Sequence, residues 1–398
     1  MRELHRLLAG YGIWCLGQGL VIPWIVVYLV QVRDMSSLHV GLCMGAMSFG
    51  GALAILVAIR WQDGIGHTHA RIIALCAHGA SILGYLIASS PFMAAVASVA
   101  VGAGAALAWN AFSVEMVMIP ADFSNAQRFG WAFMLQNAGY GSGSLISALW
   151  IHAIGRVFWP LFVAGAVVSW VWAGFAIKRF GQAPPLHPSR QPEWGRGIVS
   201  LQLLLPCMVF GFFAIAASGF AILFPLWVTG PLANPPSMVG WANSFNAAVV
   251  VMSQLALSRW RDIKPRLRMI GGSAVGYGTA LAIMGATVRG VWTRIGLFSG
   301  MGLVGVADSF LNFSLPGLIN DYAPEDRRGQ YNGMVNLSWQ LGSIMGGPFA
   351  GVAISRGEWG AMAFVSVFWC VLMTTLIAGW ARIREKFMKG DFDDRCDK

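Results

Sequence analysis

The chain has 398 residues, of which 57% are hydrophobic and only 11% are charged, and its mean hydropathy is +0.63. Soluble domains carry about 25% charged residues, so this chain has too few charges to cover the surface of a soluble fold. The cytoplasmic loops of membrane proteins are rich in Lys and Arg. We therefore attribute the formal charge of +10 to membrane topology rather than to binding of nucleic acid.

Long apolar runs, separated by short charged stretches, predict twelve transmembrane helices. A helix of about 20 apolar residues crosses the hydrocarbon core of a bilayer. The predicted segments, in chain order, are 8–31, 39–58, 72–90, 92–119, 129–152, 157–177, 198–228, 238–257, 269–288, 295–318, 330–354 and 359–381. They leave room for short loops and for no separate soluble domain.

A proline-rich stretch divides the chain into two parts. Residues 178–197 contain four prolines and four basic residues, so they cannot form a helix core. We therefore expect an N-terminal six-helix bundle at 1–177, a cytoplasmic linker at 178–197, a C-terminal six-helix bundle at 198–382 and a cytoplasmic tail at 383–398.

The positions of the basic residues predict the orientation of the chain. With both termini in the cytoplasm, 22 of the 27 Lys and Arg residues fall in cytoplasmic stretches and none falls inside a predicted span. The outer loops hold the other five, which are Arg33, Arg156, Arg289, Arg294 and Arg356. This asymmetry is typical of a multi-pass protein of the inner or plasma membrane whose termini are both cytoplasmic.

Short motifs recur at a nearly constant offset, which predicts an internal repeat. Val40-Gly41 and the stretch from Arg60 to Asp63 have counterparts 199 residues later. These counterparts are Val239-Gly240 and the stretch from Arg259 to Asp262. A second set of matches has an offset of 198. Gly102-Ala103-Gly104 matches Gly300-Met301-Gly302, Asn110 matches Asp308, and Phe112 matches Phe310. An even number of helices per half gives both halves the same orientation, so the fold class is all-α with a parallel repeat.

These features resemble the major facilitator superfamily (MFS) over the whole length of the chain. The matching features are charged loops after helices two and eight, the proline-rich linker, and residues 324–329 (PEDRRG) before a glycine-rich helix eleven. The resemblance implies two six-helix bundles around a central cavity and transport by alternating access. Within the superfamily the chain looks most similar to bacterial drug-efflux proteins, although the GxxxG motif of helix five lacks the antiporter proline.

Two acidic residues lie inside predicted spans, where a charge costs about 2.5–3.5 kcal/mol and is a functional candidate by default. Asp308 lies near the middle of helix ten, one turn before Asn312. Withdrawal from water favours the neutral form of a carboxyl group, so Asp308 is predicted to bind a coupling proton or to anchor a cationic substrate. The alternative is a buried carboxyl group that only holds helices together. Glu115 is predicted either to share the coupling role or to form a structural ion pair with Arg71.

The resemblance places helices one, four, seven and ten around the cavity. The residues that we expect to line it are Gln18, Trp109, Asn110, Phe112, Phe310 and Asn312. The aromatic members would form a wall for flat or cationic ligands. The alternative for each is helix packing, or the aromatic belt at the membrane interface.

Two further sets are predicted to act in gating. Small residues let helices approach closely, which predicts that Gly139 and Gly143 of helix five, and Gly342 and Gly346 of helix eleven, lie where the two halves slide. The second set resembles a cytoplasmic charge latch of the family and consists of Arg60, Asp63, Arg259 and Asp262. Its alternative is a group of ordinary loop charges.

The favoured function is proton-coupled efflux of small amphipathic or cationic compounds by a monomer in the lipid bilayer. One alternative is uptake or facilitated transport of a neutral metabolite such as a sugar. Another is a non-transporting membrane protein, such as a lipid scramblase or a sensor. We expect no enzyme activity, cofactor, metal site or nucleic-acid partner, because His67-Thr68-His69 lacks a third ligand and no phosphate-binding loop occurs.

Overall fold

The computed structural model describes residues 2–120, 125–177, 201–258, 266–286, 292–322, 328–356, 369, 372–373 and 375–380. Within these ranges, side chains are described except at 2, 58–64, 125–126, 177, 201–203, 258, 292, 316–317, 319–322 and 328–333. The predicted linker and tail therefore lie outside the described residues.

The described residues form eleven long helices. Their bounds are α1 Arg2–Gln31, α2 Ser37–Ile65, α3 His67–Ile87, α4 Pro91–Met118, α5 Asn125–Ile154, α6 Trp159–Ile177, α7 Leu201–Thr229, α8 Ser237–Ser258, α9 Arg266–Ala286, α10 Trp292–Tyr322 and α11 Arg328–Ser355. Residues 375–380, inside the predicted twelfth segment, are also helical. The predicted all-α class and the order of the segments are confirmed.

Eight helices in the described part of the chain are long and apolar enough to cross a membrane, and they are α1–α4, α6, α7, α9 and α10. The helices α5, α8 and α11 are 30, 22 and 28 residues long but do not reach the same apolarity. All three pack along the contact between the two halves of the molecule. Lipid surrounds a smaller part of their surface, so they need fewer apolar side chains.

The connection between α2 and α3 is shorter than predicted. The helix α2 continues to Ile65, and α3 begins at His67, so a single residue makes the turn. That residue is Gly66, whose φ of 80° lies in a region that side chains with a Cβ rarely adopt. The main chain at 60–63 is therefore helical rather than a loop, and Arg71 lies inside the apolar span His67–Ile87. The prediction that no Lys or Arg falls within a span is wrong, because the apolar helices that could cross a membrane include Arg6, Arg71, Arg266, Arg268 and Arg294.

The described helices form two sets of equivalent contacts. In the first half, α5 packs on α1, and α4 packs on both α2 and α3. In the second half, α11 packs on α7, and α10 packs on both α8 and α9. The halves meet where α2 contacts α11 and where α5 contacts α8. This correspondence confirms the predicted parallel repeat.

The four glycines that we predicted at the contact between halves pack within each half instead. A Cβ on Gly139 or Gly143 would overlap backbone carbonyl oxygens of α1. A Cβ on Gly342 or Gly346 would overlap carbonyl oxygens of α7. These residues therefore let α5 approach α1 and α11 approach α7, and the predicted sliding surface is wrong for them.

Other glycines form the contact between the halves. A Cβ on Gly41 of α2 would lie 2.5 Å from the carbonyl oxygen of Gly347 on α11. A Cβ on Gly240 of α8 would lie 2.7 Å from the carbonyl oxygen of Ser144 on α5. Both contacts lie toward the start of α2 and α8, which is the outer end in the predicted topology. We refer to the contact of Gly41 with Gly347 as the glycine seam.

Candidate functional site

The carboxyl group of Asp308 is held by a tyrosine on the neighbouring helix α9. The hydroxyl group of Tyr277 donates a hydrogen bond of 2.6 Å to Oδ1 of Asp308. Tyr277 is buried, whereas Asp308 is half-buried. Among the described residues no partner contacts Oδ2, so one carboxyl oxygen is available to a proton or a ligand.

The position of Asp308 around α10 follows from the contacts of its neighbours, since each residue turns a helix by about 100°. Ser309 faces α8, where its hydroxyl group donates to the carbonyl oxygen of Val250. Ala307 faces α9, where its carbonyl oxygen accepts from Ser273. Asp308 shares the remaining inward arc with the buried residues Val304, Leu311 and Leu315. Asp308 therefore lies on a side of α10 that packs against other helices, and the residue as a whole is half-buried.

Asn312 lies one turn further along the same arc and is also half-buried. Its side-chain amide donates to the backbone oxygen of Asp308 at 2.9 Å, so it does not contact the carboxyl group. The side-chain partner that links Asp308 to another helix is therefore Tyr277 and not Asn312. Both polar side chains remain on the inward side of α10.

Aromatic rings support Tyr277 from the other side. The ring of Phe213 on α7 meets Tyr277 edge-on, with centroids 5.7 Å apart and planes at 72°. Trp369 in turn meets Phe213 at 5.4 Å and 82°. These contacts fix the tyrosine ring, and with it the direction from which the hydroxyl group approaches Asp308.

The N-terminal half contains an equivalent arrangement around His78 of α3. Trp14 of α1 meets His78 edge-on at 5.6 Å and 68°, and Trp172 of α6 packs on Trp14 at 5.5 Å. His78 is fully buried, and both ring nitrogens are engaged. With the proton on Nδ1, that atom donates to the carbonyl oxygen of Val101 at 3.1 Å, and Nε2 accepts from the side chain of Gln18 at 2.5 Å.

The predicted cavity residue Gln18 therefore points toward α3 inside its own half. Sequence reasoning did not single out His78 or Tyr277. They lie 199 positions apart, which is the offset already found for other repeated motifs. A comparison of every polar and aromatic residue of the first six spans with the residue 199 positions later would have paired His78 with Tyr277.

Two predicted aromatic wall residues belong to packing surfaces. Phe112 is fully buried and stacks on Tyr11, with centroids 4.2 Å apart and planes at 11°. Phe310 lies on the side of α10 that faces α9, 3.5 Å from a Cβ placed on Gly272. The prediction of a cavity wall is wrong for Phe112, because aromatic side chains also fill the contacts between neighbouring helices. Phe310 is half-buried, so its place in a cavity wall stays a prediction.

The predicted cavity residues Trp109 and Asn110 lie on different sides of α4. Trp109 is half-buried, 5.3 Å from the ring of Tyr11, and so borders the same aromatic cluster as Phe112. Asn110 lies two positions before Phe112, about 200° around the helix, and so faces away from α1. Asn110 is half-buried, so its place in the cavity stays a prediction.

Glu115 forms a bidentate ion pair with Arg71. The Nε and Nη2 atoms of Arg71 donate to the two carboxylate oxygens at 3.0 and 2.9 Å. The arginine side chain is 2% exposed, and its guanidinium carbon lies 5.0 Å from the ring of Trp172. The ion pair that was one of the two predicted alternatives for Glu115 is therefore present, and a part in coupling stays a prediction.

The predicted charge latch cannot be placed. The side chains of Arg60 and Asp63, and all of Arg259 and Asp262, lie outside the described residues. Within the described part of the chain, no group of three or more His, Cys, Asp and Glu side chains is arranged to hold a metal ion.

Comparisons with known proteins agree with this architecture. Residues 204–393 match the family model of the Major Facilitator Superfamily. The uncharacterised MFS-type transporter YhjO of Bacillus subtilis is 20% identical over 359 residues, which cover 89% of this chain and 86% of that protein. The vacuolar membrane amino acid uptake transporter fnx2 of Schizosaccharomyces pombe is 23% identical over 182 residues, or 44% of this chain and 31% of fnx2. The chain thus spans about a third of the length of fnx2.

Solved structures share the fold at low sequence identity. The nucleoside transporter NupG superposes with a TM-score of 0.72 at 11% identity, covering 96% of this chain and 99% of NupG. The human organic anion transporter MFSD10 (TETRAN) superposes with a TM-score of 0.66 at 14% identity, covering 94% of this chain and 98% of that chain. The chain is thus a multi-pass membrane protein with the fold of the major facilitator superfamily, and the match of its second half to the family model supports a transporter of this type.

Proposed function

We propose that this protein is a secondary active transporter that couples proton movement to the export of small amphipathic or cationic compounds, with Asp308 as the coupling carboxyl group. The proposal rests on a difference between Glu115 and Asp308, the two acidic residues that lie inside predicted spans. Arg71 neutralises Glu115, whereas the one side-chain partner of Asp308 among the described residues is the neutral hydroxyl group of Tyr277.

A carboxylate held by one neutral donor has no full positive charge to balance it. In an interior of low dielectric constant, a proton or a cationic group of the substrate supplies that balance. Because Oδ2 has no partner among the described residues, either can approach it. Competition between proton and cation for Asp308 would couple their movements in opposite directions as the cavity opens to each side.

A second candidate is the uptake of a neutral polar metabolite. It is supported by the names of two similar proteins, the nucleoside transporter NupG and the amino acid uptake transporter fnx2. A neutral solute could form hydrogen bonds with Asp308 and Asn312 without an ion pair. In that case Asp308 would bind the coupling proton and the solute together, and both would move in the same direction.

The test is transport by purified protein in proteoliposomes under an imposed pH gradient, with cationic dyes, nucleosides, amino acids and sugars as substrates. We expect cationic compounds to move against the proton gradient. We expect Asp308→Asn to lose proton-driven transport by at least 100-fold while it inserts and purifies normally. Ser309→Ala is the matched control on the same helix, because its hydroxyl group contacts backbone oxygens of α8 and α10. Undiminished proton-driven transport by Asp308→Asn would refute the coupling role.

A further inference from the structure

A cavity of about 450 Å³ lies at the end of the N-terminal half where α1 ends and α6 begins. Its walls include Tyr28, Arg33, Leu86, Arg156, Phe158 and Trp159. None of its lining residues is acidic, and two are arginines. The cavity is separate from Asp308, which belongs to the other half of the molecule.

Arg33 is fixed in place by neutral groups. Its Nε donates to the hydroxyl oxygen of Tyr28 at 2.8 Å, and its Nη2 donates to the carbonyl oxygen of Leu86. The guanidinium carbon also lies 5.4 Å from the centroid of the Tyr28 ring. None of these partners carries a negative charge, and Nη1 has no partner among the described residues. Asp34, the acid next in sequence, is exposed and forms no ion pair in the described part of the chain.

Arg156 supplies a second positive charge at the same cavity. It is exposed and follows Gly155, whose φ of 89° makes the turn between α5 and α6. The helix α6 begins at Trp159, three residues later, so the positive end of the helix dipole also faces this region. The cavity therefore combines the N-terminus of a helix with two guanidinium groups that form no ion pair within the described part of the chain.

The surface around the cavity is strongly apolar. Ile87, which follows the lining residue Leu86, is 72% exposed, and the lining residues Val32 and Trp159 are 43% and 60% exposed. In a membrane protein such side chains contact lipid, and Trp is enriched at the level of the lipid headgroups. Since Arg33 and Arg156 lie in predicted outer loops, the cavity opens at the outer boundary between hydrocarbon and water.

We propose that this cavity binds the phosphate group of an anionic phospholipid in the outer leaflet. The guanidinium groups of Arg33 and Arg156 contact the phosphate oxygens, a pairing that arginine makes with good geometry. The acyl chains lie against the exposed apolar surface that includes Val32, Ile87 and Trp159. A soluble phosphate ester offers the same charge but cannot use that surface, so the two sources of phosphate can be distinguished.

The test is native mass spectrometry of the full-length protein in detergent, titrated with phosphatidylglycerol or with phosphatidylcholine of the same acyl chains. We expect preferential binding of phosphatidylglycerol. Each arginine contributes about a five-fold change in affinity, so Arg156→Gln binds about 5-fold more weakly and the double variant with Arg33→Gln about 25-fold more weakly. Arg156→Gln is the decisive variant, because Arg33 also contacts Tyr28 and Leu86 and its loss can disturb the fold.

Arg294→Gln is the control, since Arg294 is an exposed residue in the first turn of α10 and lies outside the cavity. We expect it to leave lipid binding unchanged. Glycerol 3-phosphate is the soluble competitor, and we expect it not to displace the lipid at equal concentration. Equal binding of the two lipids, displacement by glycerol 3-phosphate, or an equal effect of Arg294→Gln and Arg156→Gln would each overturn the proposal.

Discussion

His78 and Tyr277 occupy equivalent positions in the two halves of the protein, 199 residues apart. Each meets an aromatic ring of the first helix of its half edge-on, Trp14 for His78 and Phe213 for Tyr277, at 5.6 and 5.7 Å. Their polar partners differ, because His78 contacts Gln18 of α1 and Tyr277 contacts Asp308 of α10. The repeat has therefore kept the aromatic frame and changed the polar group that it holds.

Removal of the Tyr277 hydroxyl group tests whether the frame serves Asp308. We expect Tyr277→Phe to keep the edge-on contact with Phe213 and to reduce proton-driven transport in proteoliposomes by about 10-fold. A hydrogen bond to a charged group contributes about 1.5–3 kcal/mol, and its loss leaves Asp308 less well oriented.

Tyr85→Phe is the matched control for this experiment. Its buried hydroxyl group forms a 2.8 Å hydrogen bond with Ser98, far along the chain from Asp308. We expect a similar loss of thermal stability in detergent from both variants but normal transport only from Tyr85→Phe. Equal transport by the two variants would show that Tyr277 has no part in coupling.

The ion pair of Arg71 and Glu115 is expected to stabilise the fold without taking part in coupling. Glu115→Gln leaves the guanidinium group buried without its partner, so we expect a loss of about 3–5 kcal/mol in the free energy of unfolding. Thermal unfolding in detergent measures this change.

The double variant Arg71→Met, Glu115→Leu removes both charges and provides the control. We expect it to recover most of the lost stability and to retain proton-driven transport. A double variant that folds well but loses coupling would give Glu115 the role that we assign to Asp308.

The two kinds of glycine contact are expected to respond differently to alanine. Gly143→Ala places a Cβ against the carbonyl oxygen of Leu16 within the N-terminal half, so we expect a loss of about 1–3 kcal/mol in stability. Gly347→Ala forces α11 away from Gly41 of α2, and we expect at least a 10-fold loss of transport with little change in thermal stability.

Gly174→Ala is the control for both glycine variants, because nothing lies within 4 Å of a Cβ at Gly174. We expect it to match the unchanged protein in thermal unfolding and in transport. If Gly143→Ala and Gly347→Ala gave the same loss of stability, the distinction between packing within a half and packing between halves would fail.

The helices could be predicted because lipid imposes a simple rule on sequence. Apolar runs gave the eleven described helices in the correct order, with most ends within a few residues. The main error was between α2 and α3, where the helices continue through Arg60 and Arg71. Charge marked these residues as a loop, but a helix can extend beyond the hydrocarbon region, and Arg71 is tolerated inside it because Glu115 pairs with it.

The candidate site could be predicted only in part. An acid inside a span is rare enough to single out Asp308 without any structure. Its partner Tyr277 was not singled out, because a tyrosine in a span carries no such cost. The glycines showed that helices approach closely, but a glycine does not specify its partner. Gly143 and Gly141 lie two residues apart on α5 and contact α1 and α8 respectively.

The glycine seam has a consequence for how the two halves can separate. Where Gly41 meets Gly347, neither helix presents a side chain, and the hydrogen-bonding groups of each backbone are already used within its own helix. Parting the surfaces there requires no rotamer change and leaves no polar group newly unpaired. The energy lost is mainly that of dispersion between flat surfaces, so the helix ends that carry the seam can open and close again with little internal friction.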